Sequence, residues 1–137
     1  MTLLYVDDDA DDLDLLQDFV QTIDPTIQCV LFQKASEALI FLNNTPTLPD
    51  FIFLDINMPQ MNGKQCLQEI RKSNELKHLP VIMYTTSSEE KEIKECYKLG
   101  ATDFLMKPNN ISELHIGLTA IFENQGNDRM RSSKSIL

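Results

Sequence analysis

Phe51-Ile52-Phe53-Leu54-Asp55-Ile56-Asn57-Met58-Pro59-Gln60-Met61-Asn62-Gly63 is the stretch on which the fold turns. Phe51 to Leu54 is an apolar, β-favouring run without polar alternation, as expected of a strand covered on both faces. It stops at a carboxylate, Asp55, and Gly63 permits a turn into a helix carrying Leu67 and Ile70. The same unit recurs on either side. Toward the N-terminus, Leu3 to Val6 reads as a first strand running into Asp7, Asp8 and Asp9, and Leu13, Leu16, Phe19, Val20 and Ile23 follow at helical spacing. Ile27 to Phe32 is a second strand and Ser36 to Leu42 a second helix, which Asn43, Asn44 and Pro46 are expected to terminate. Toward the C-terminus, Pro80 introduces a fourth strand, Val81 to Tyr84. Ser87 and Glu90 have capping-box spacing for a fourth helix that Gly100 ends. Thr102 to Met106 is a short fifth strand, and Asn110 with Glu113 caps a last helix bearing Leu114, Leu118, Ile121 and Phe122.

Five βα units, with neither internal repeats nor a long linker, predict an α/β fold: a doubly wound parallel sheet in a three-layer sandwich. Residues 1–125 form that domain. Gly126 is expected to end the last helix, and residues 126–137, with Arg129, Arg131 and Lys134 among serines, read as a flexible tail too poor in apolar side chains to pack. A chain of 137 residues buries roughly two-thirds of its unfolded surface, so its core needs no metal or disulfide staple. Twelve Lys+Arg against 21 Asp+Glu give a formal net charge of -9. Direct DNA binding is disfavoured, because there is no basic excess to neutralise phosphates. No apolar run approaches the roughly 18 residues of a membrane span, and the chain reads as soluble and cytoplasmic. Cys29, Cys66 and Cys96 are odd in number and far apart, so they are assigned to core packing in a reducing compartment. His78 and His115 are assigned structural or surface roles.

Ligands of open parallel sheets sit beyond the C-terminal strand ends, which makes the residues there decisive. Strand one ends in Asp7 to Asp9, strand three in Asp55, strand four in Thr85 and Thr86, and strand five in Lys107. In the doubly wound order 2-1-3-4-5, strands one and three are neighbours, and their acids meet. Gathered carboxylates repel. A divalent cation resolves that repulsion, and a hard, oxygen-only ligand set with room for water suits Mg²⁺. With the charge cancelled, the Asp55 carboxylate can act as a nucleophile toward phosphorus and form an acyl phosphate. The Lys107 ammonium would stabilise charge on the phosphoryl oxygens, and the Thr85 hydroxyl would hydrogen-bond one of them.

Three motifs, in this order, carry a resemblance: Leu4-Tyr5-Val6-Asp7-Asp8, Leu54 to Gly63, and Gly100-Ala101-Thr102-Asp103-Phe104-Leu105-Met106-Lys107-Pro108. Over residues 2 to about 125 the chain resembles a response-regulator receiver domain of two-component signalling, of the stand-alone single-domain type. The strand order 2-1-3-4-5 and the flavodoxin-like sandwich are taken from that resemblance. It further implies that Asp55 accepts a phosphoryl group from a sensor histidine kinase or a histidine phosphotransfer protein. Asp7 and Asp8 would bind Mg²⁺ together with Asp55 and the Asn57 backbone carbonyl. Thr85 and Phe104 would form the switch pair, and Phe104, lacking a hydroxyl, would switch by packing alone. Lys107-Pro108 would be joined by a cis peptide. Asn57 and Ser87, each two positions beyond a key residue, would tune acyl-phosphate lifetime. Output would run through a partner protein at the face of helix four, strand five and helix five, about Glu89 to Phe122, or the chain would be a phosphorelay intermediate.

Simpler readings compete for several of these residues. Asp11, Asp12 and Asp14 are read as solvated acids favoured by a helix N-terminus. Asp9 is left open between the surface and the metal. Asp7, Asp9 and Asp11 imitate the opening of a calcium loop, but Asp12 replaces its turn glycine and Asp18 its bidentate glutamate. A phosphohydrolase of the haloacid-dehalogenase type needs a general-acid aspartate two positions after its nucleophile, where this chain has Asn57. A degenerate receiver acting only as a scaffold would lack part of the acidic and basic set, and here every member is present.

Overall fold

In the computed structural model the described residues are 1–136 apart from Ser88 and Asn109, with side chains described through Asn124. The elements run β1 (Thr2–Val6), α1 (Ala10–Ile23), β2 (Gln28–Phe32), α2 (Ala35–Asn44), β3 (Phe51–Leu54), α3 (Gly63–Lys72), β4 (Val81–Thr85), α4 (Glu90–Lys98), β5 (Asp103–Met106) and α5 (Ile111–Ile136). All five strands pair in parallel in the order β2-β1-β3-β4-β5. The expected doubly wound α/β sheet is therefore the one observed.

The layers follow from that order. The chain starts mid-sheet, moves outward to β2, then crosses back past β1 to β3. Right-handed crossovers place α1 on one face and α2, α3 and α4 on the other. Side-chain alternation matches. Leu4, Val6, Ile52, Leu54, Val81 and Met83 join one apolar cluster with Ala38 and Leu42 of α2, Leu67 and Ile70 of α3, and Cys96 of α4. On the opposite face Tyr5, Phe53 and Tyr84 meet edge to face, with Tyr84 centroids 5.6 Å from Tyr5 and 6.2 Å from Phe53. Leu13, Leu16, Phe19 and Val20 of α1 are buried as well. Every residue of β3 and β4 is buried, which is why their sequences are continuously apolar.

Cys66 and Cys96 are buried and Cys29 half-buried, all as free thiols, and burial pushes Cys66 up to about 12. They behave as small hydrophobes, as expected. His78 and His115 are both exposed. No helix of the described residues is long and apolar enough to cross a membrane.

Helix ends show where local chemistry departs from the sequence reading. Gly100 ends α4 at φ 108, with its own N–H donating to Tyr97 O and that of Ala101 to Cys96 O. This is the expected glycine stop, in its paired Schellman form. The start of α4 differs. Glu89 is its N-cap residue, without a side-chain bond, so Ser87 does not form the expected capping box with Glu90. Ser87 instead donates its N–H to Thr85 Oγ1 at 3.4 Å, which keeps it on the strand-end loop. A reciprocal box does exist on α3, where Asn62 accepts from Gln65 N–H and the Gln65 side chain accepts from Asn62 N–H, both at 2.9 Å. Asn43 and Asn44 lie inside α2 and donate back to Leu39 O and Ile40 O at 2.8 and 2.7 Å, moving the helix end to Thr45.

Arg71 ties the far side of this unit together. Its guanidinium donates to Gly100 O, Lys77 O and Leu79 O between 2.8 and 3.0 Å, and reaches Thr102 Oγ1 at 3.3 Å.

Residues 108–137 form a second compact unit. Its helix α5 is capped as expected, Asn110 Oδ1 accepting from Glu113 N–H at 2.9 Å. The helix passes Gly126, its expected stop, and its backbone continues to Ile136. One interior glycine costs a helix only about 1 kcal/mol. The side chains of Arg129, Arg131 and Lys134 lie outside the described residues, as does Leu137.

Candidate functional site

Register places the acids. Val6 of β1 pairs with Leu54 of β3, so the residues one step further, Asp7 and Asp55, leave the sheet side by side. Their backbones are still held at that step: Asp7 N–H donates to Phe32 O and Asp55 N–H to Val6 O, both at 3.0 Å. Asp8 follows on the same loop. One carboxylate oxygen from each of Asp7, Asp8 and Asp55 lies within 4.8 Å of the others, Asp7 and Asp55 buried and Asp8 exposed. A rim of two buried acids and one open one leaves a side from which a cation and an anion can enter.

Lys107 follows β5, whose last residue Met106 pairs with Thr85 of β4. The Lys107 N–H donates to Thr85 O at 2.6 Å, which fixes where its side chain starts. Its ammonium lies 2.6 Å from Asp7 Oδ2, 2.9 Å from Asp12 Oδ2 and 3.6 Å from Asp55 Oδ2. Burial alone would lower this ammonium, but the bonds to Asp7 and Asp12 outweigh it and hold Lys107 above its ordinary range. It is a permanent cation at the site.

The Asp55 carboxyl moves in the opposite sense. Burial first, and then the charge of Asp7, push it up to about 6, against the pull of Lys107 and of the Asn57 N–H that hydrogen-bonds it. One lysine does not balance three acids. The cluster is short of positive charge, and its donors are all hard carboxylate oxygens. Asp7, Asp8 and Asp55 therefore fit a hard divalent cation.

Asp7 carries more bonds than the sequence revealed. Its Oδ2 accepts from the buried Tyr5 hydroxyl at 2.5 Å as well as from Lys107, and its Oδ1 accepts from Asp9 N–H at 3.0 Å. Tyr5 stood in a continuous apolar strand and gave no sign of this role, although a buried phenol needs an acceptor. Burial, then the hydrogen bond to Asp7, raise Tyr5 far above its usual range, so it only donates. Asp9 is the N-cap of α1, accepting from Asp11 N–H and Asp12 N–H, which settles its open assignment in favour of the helix. Asp12 is a correction. It is no merely solvated acid but a direct partner of Lys107, because one turn into α1 brings it over the strand ends.

The remaining expected residues are placed as follows. Thr85 is fully buried at the end of β4, its hydroxyl accepting from Ser87 N–H. Phe104 pairs with Met83 across β4 and β5 and packs, partly buried, against the core. Asn57 is exposed, with its N–H turned to Asp55. The Lys107–Pro108 bond is a second correction: no peptide bond among the described residues is cis. The trans form is intrinsically preferred before proline by about 0.5–1 kcal/mol, and Lys107 reaches the acids with it. Gly63 has a firmer reason than turn freedom. A Cβ there would stand 2.1 Å from the carbonyl oxygen of Asp55, so only glycine lets α3 start this close to Asp55.

With this geometry in view, residues 3–119 match the family model described as the response regulator receiver domain. Response regulator Rcp1 of Synechocystis is 30% identical over 118 residues, 82% of this chain and 80% of that protein. Chemotaxis protein CheY-3 of Vibrio cholerae is 38% identical over 96 residues, 67% of this chain and 74% of that one. Among solved structures, the Mn²⁺-bound form of Rcp1 superposes with a TM-score of 0.76 at 28% identity, covering 88% of this chain and 90% of that one. The phosphorylated cyanobacterial phytochrome response regulator RcpA superposes with a TM-score of 0.80 at 28% identity, covering 89% and 91%.

Proposed function

This chain belongs to the response regulator receiver domain family, and from that premise we propose that it is a phosphoacceptor whose Asp55 takes a phosphoryl group from a histidine kinase or a histidine phosphotransfer protein. The observation that carries the proposal is the meeting of the Asp7, Asp8 and Asp55 carboxylates, with the Lys107 ammonium against Asp7 and Asp55. The family supports the signalling role; the solved relatives, one holding Mn²⁺ and one phosphorylated, support the cation and the chemistry.

Asp7, Asp8, Asp55 and the Asn57 carbonyl would hold Mg²⁺, which when bound supplies the charge that offsets these acids and the phosphoryl oxygens. An Asp55 oxygen attacks the phosphorus of a phosphohistidine. The new O–P bond forms as the P–N bond breaks, and the imidazole nitrogen keeps the electron pair. Lys107 sits beside the acceptor as a permanent cation that attracts the transferring oxygens. The Thr85 hydroxyl turns from Ser87 to the phosphoryl group, and Phe104 fills the space it leaves. Asn57 and Ser87 set access for the water that later hydrolyses the acyl phosphate. Output is by phosphorylation-dependent contact with another cytoplasmic protein, on a surface including α4 and β5; neither DNA nor a membrane is the partner.

Incubation with acetyl phosphate and MgCl₂, followed by intact mass, tests this. An acid-stable, base-labile phosphoryl adduct is expected, absent in Asp55→Asn and in EDTA. An unmodified wild-type chain overturns the reading. A phosphorelay intermediate would pass the group on to a phosphotransfer histidine, whereas an adaptor would bind a target more tightly when activated by beryllofluoride.

A further inference from the structure

Three carboxylates contact the Lys107 ammonium, and Asp12 is the one among them that stands outside the acidic trio of Asp7, Asp8 and Asp55. Asp7 Oδ2 already accepts from both Tyr5 and Lys107, and Oδ1 accepts from the Asp9 N–H. A cation that takes Asp7 repels the ammonium beside it and competes with these partners for the carboxylate. Tyr5 is fully buried and the Asp9 N–H belongs to the backbone, so Lys107 is the partner that can yield. Its side chain is only 12% exposed, and a displaced ammonium there, beside a dication, would have neither water nor a counter-ion. Asp12 offers that counter-ion 2.9 Å away without joining the metal ligands.

We propose that Asp12 is a positioning residue that retains the Lys107 ammonium when a divalent cation takes Asp7, so that loading leaves no buried positive charge unpaired. The proposal rests on the divalent-cation reading above. Removing Asp12 leaves Lys107 on Asp7 as an undiluted competitor and takes one negative charge from the surroundings of the cation. Both effects weaken cation binding. The loss is on the order of five- to tenfold in affinity, the size of one partly buried charge pair.

The test is calorimetric titration of MgCl₂ into wild type, Asp12→Asn, Asp12→Glu and Asp11→Asn at constant ionic strength, with urea midpoints confirming that each variant is folded. Asp12→Asn should bind Mg²⁺ five- to tenfold more weakly, Asp12→Glu should recover most of the affinity, and Asp11→Asn, an exposed neighbour with the same charge change, should shift it by less than twofold. In a Lys107→Gln background the Asp12→Asn effect should fall below twofold, because only the loss of one nearby charge remains and there is no ammonium left to hold. Equal losses with and without Lys107 would mean that Asp12 serves the cation itself, and equal affinities of wild type and Asp12→Asn would mean that it serves nothing; either result overturns the proposal. A wild type that binds no Mg²⁺ removes the underlying reading, and this inference with it.

Discussion

Asp55→Asn should make the metal-free protein more stable, and the size of the effect can be worked from the acid cluster. Burial and Asp7 raise the Asp55 carboxyl from 3.8 to about 6. A carboxyl whose folded value lies above its unfolded one contributes nothing unfavourable below the unfolded value, where both states are protonated. As pH rises through the folded value, stability is lost, because the unfolded chain ionises more readily. About two units correspond to about 3 kcal/mol above pH 7. Asparagine keeps the shape of the side chain and can still accept the Asn57 N–H, but it carries no charge to be penalised. In EDTA at pH 7.5 the variant should therefore be about 3 kcal/mol more stable by urea denaturation, and at pH 4 the gap should shrink to about 0.5 kcal/mol. Groups remote from the acid cluster are common to both and cancel in the difference. Mg²⁺ at a hundredfold excess over its dissociation constant should then nearly close the gap, since it stabilises wild type by about 2.7 kcal/mol while the variant has lost one of three carboxylates. A variant no more stable than wild type at pH 7.5, or one whose advantage persists unchanged at pH 4, would refute the view that Asp55 is held ionised against repulsion.

Three further outcomes follow from single contacts. Gly63→Ala drives a methyl into the Asp55 carbonyl, so α3 and the β3 end must part; a loss of 3 kcal/mol or more in urea melts, or a folded protein that no longer takes phosphoryl from acetyl phosphate, is expected. Arg71→Ala strips donors from three carbonyls and Thr102 at once and should cost about 2–4 kcal/mol, read as a lower thermal midpoint with the Mg²⁺ affinity unchanged. Tyr5→Phe removes one hydrogen bond to an ionised acceptor, and should cost about 1.5–3 kcal/mol in EDTA while tightening Mg²⁺ binding in calorimetry, because Asp7 then has one competitor fewer.

The parts of this molecule legible in its sequence are those governed by one residue's own chemistry. Phe51 to Leu54 could only be an interior strand, and Gly100 with its positive φ could only be a stop. Asp55 and Asp7 were recognisable because an acid directly after such a strand has few places to go. Partnership across the fold left fainter marks. Asp12 looked like any acid at a helix start until α1 laid it beside Lys107, 95 positions away in the chain. Tyr5 looked like any large apolar residue, and its hydroxyl acquired meaning only when the strand pleat aimed it at Asp7. Asn62 and Gln65 form a box at three-residue spacing, while Ser87 and Glu90 have the same spacing and form no cap. Spacing permits a cap; backbone geometry decides it.

These partners share a property that explains the site. Tyr5, Asp9 and Asp12 all bear on Asp7 and Lys107, the ion pair shielded from solvent. The sequence motif identifies the groups that do chemistry, and the surrounding contacts decide how far those groups are free to do it. In the unliganded state the Lys107 ammonium is closer to Asp7 and Asp12 than to Asp55, 2.6 and 2.9 Å against 3.6 Å. Its resting place is therefore on the metal side of the site rather than on the acceptor. Charge brought in with a cation pushes it off Asp7, and charge brought in with a phosphoryl group draws it toward Asp55.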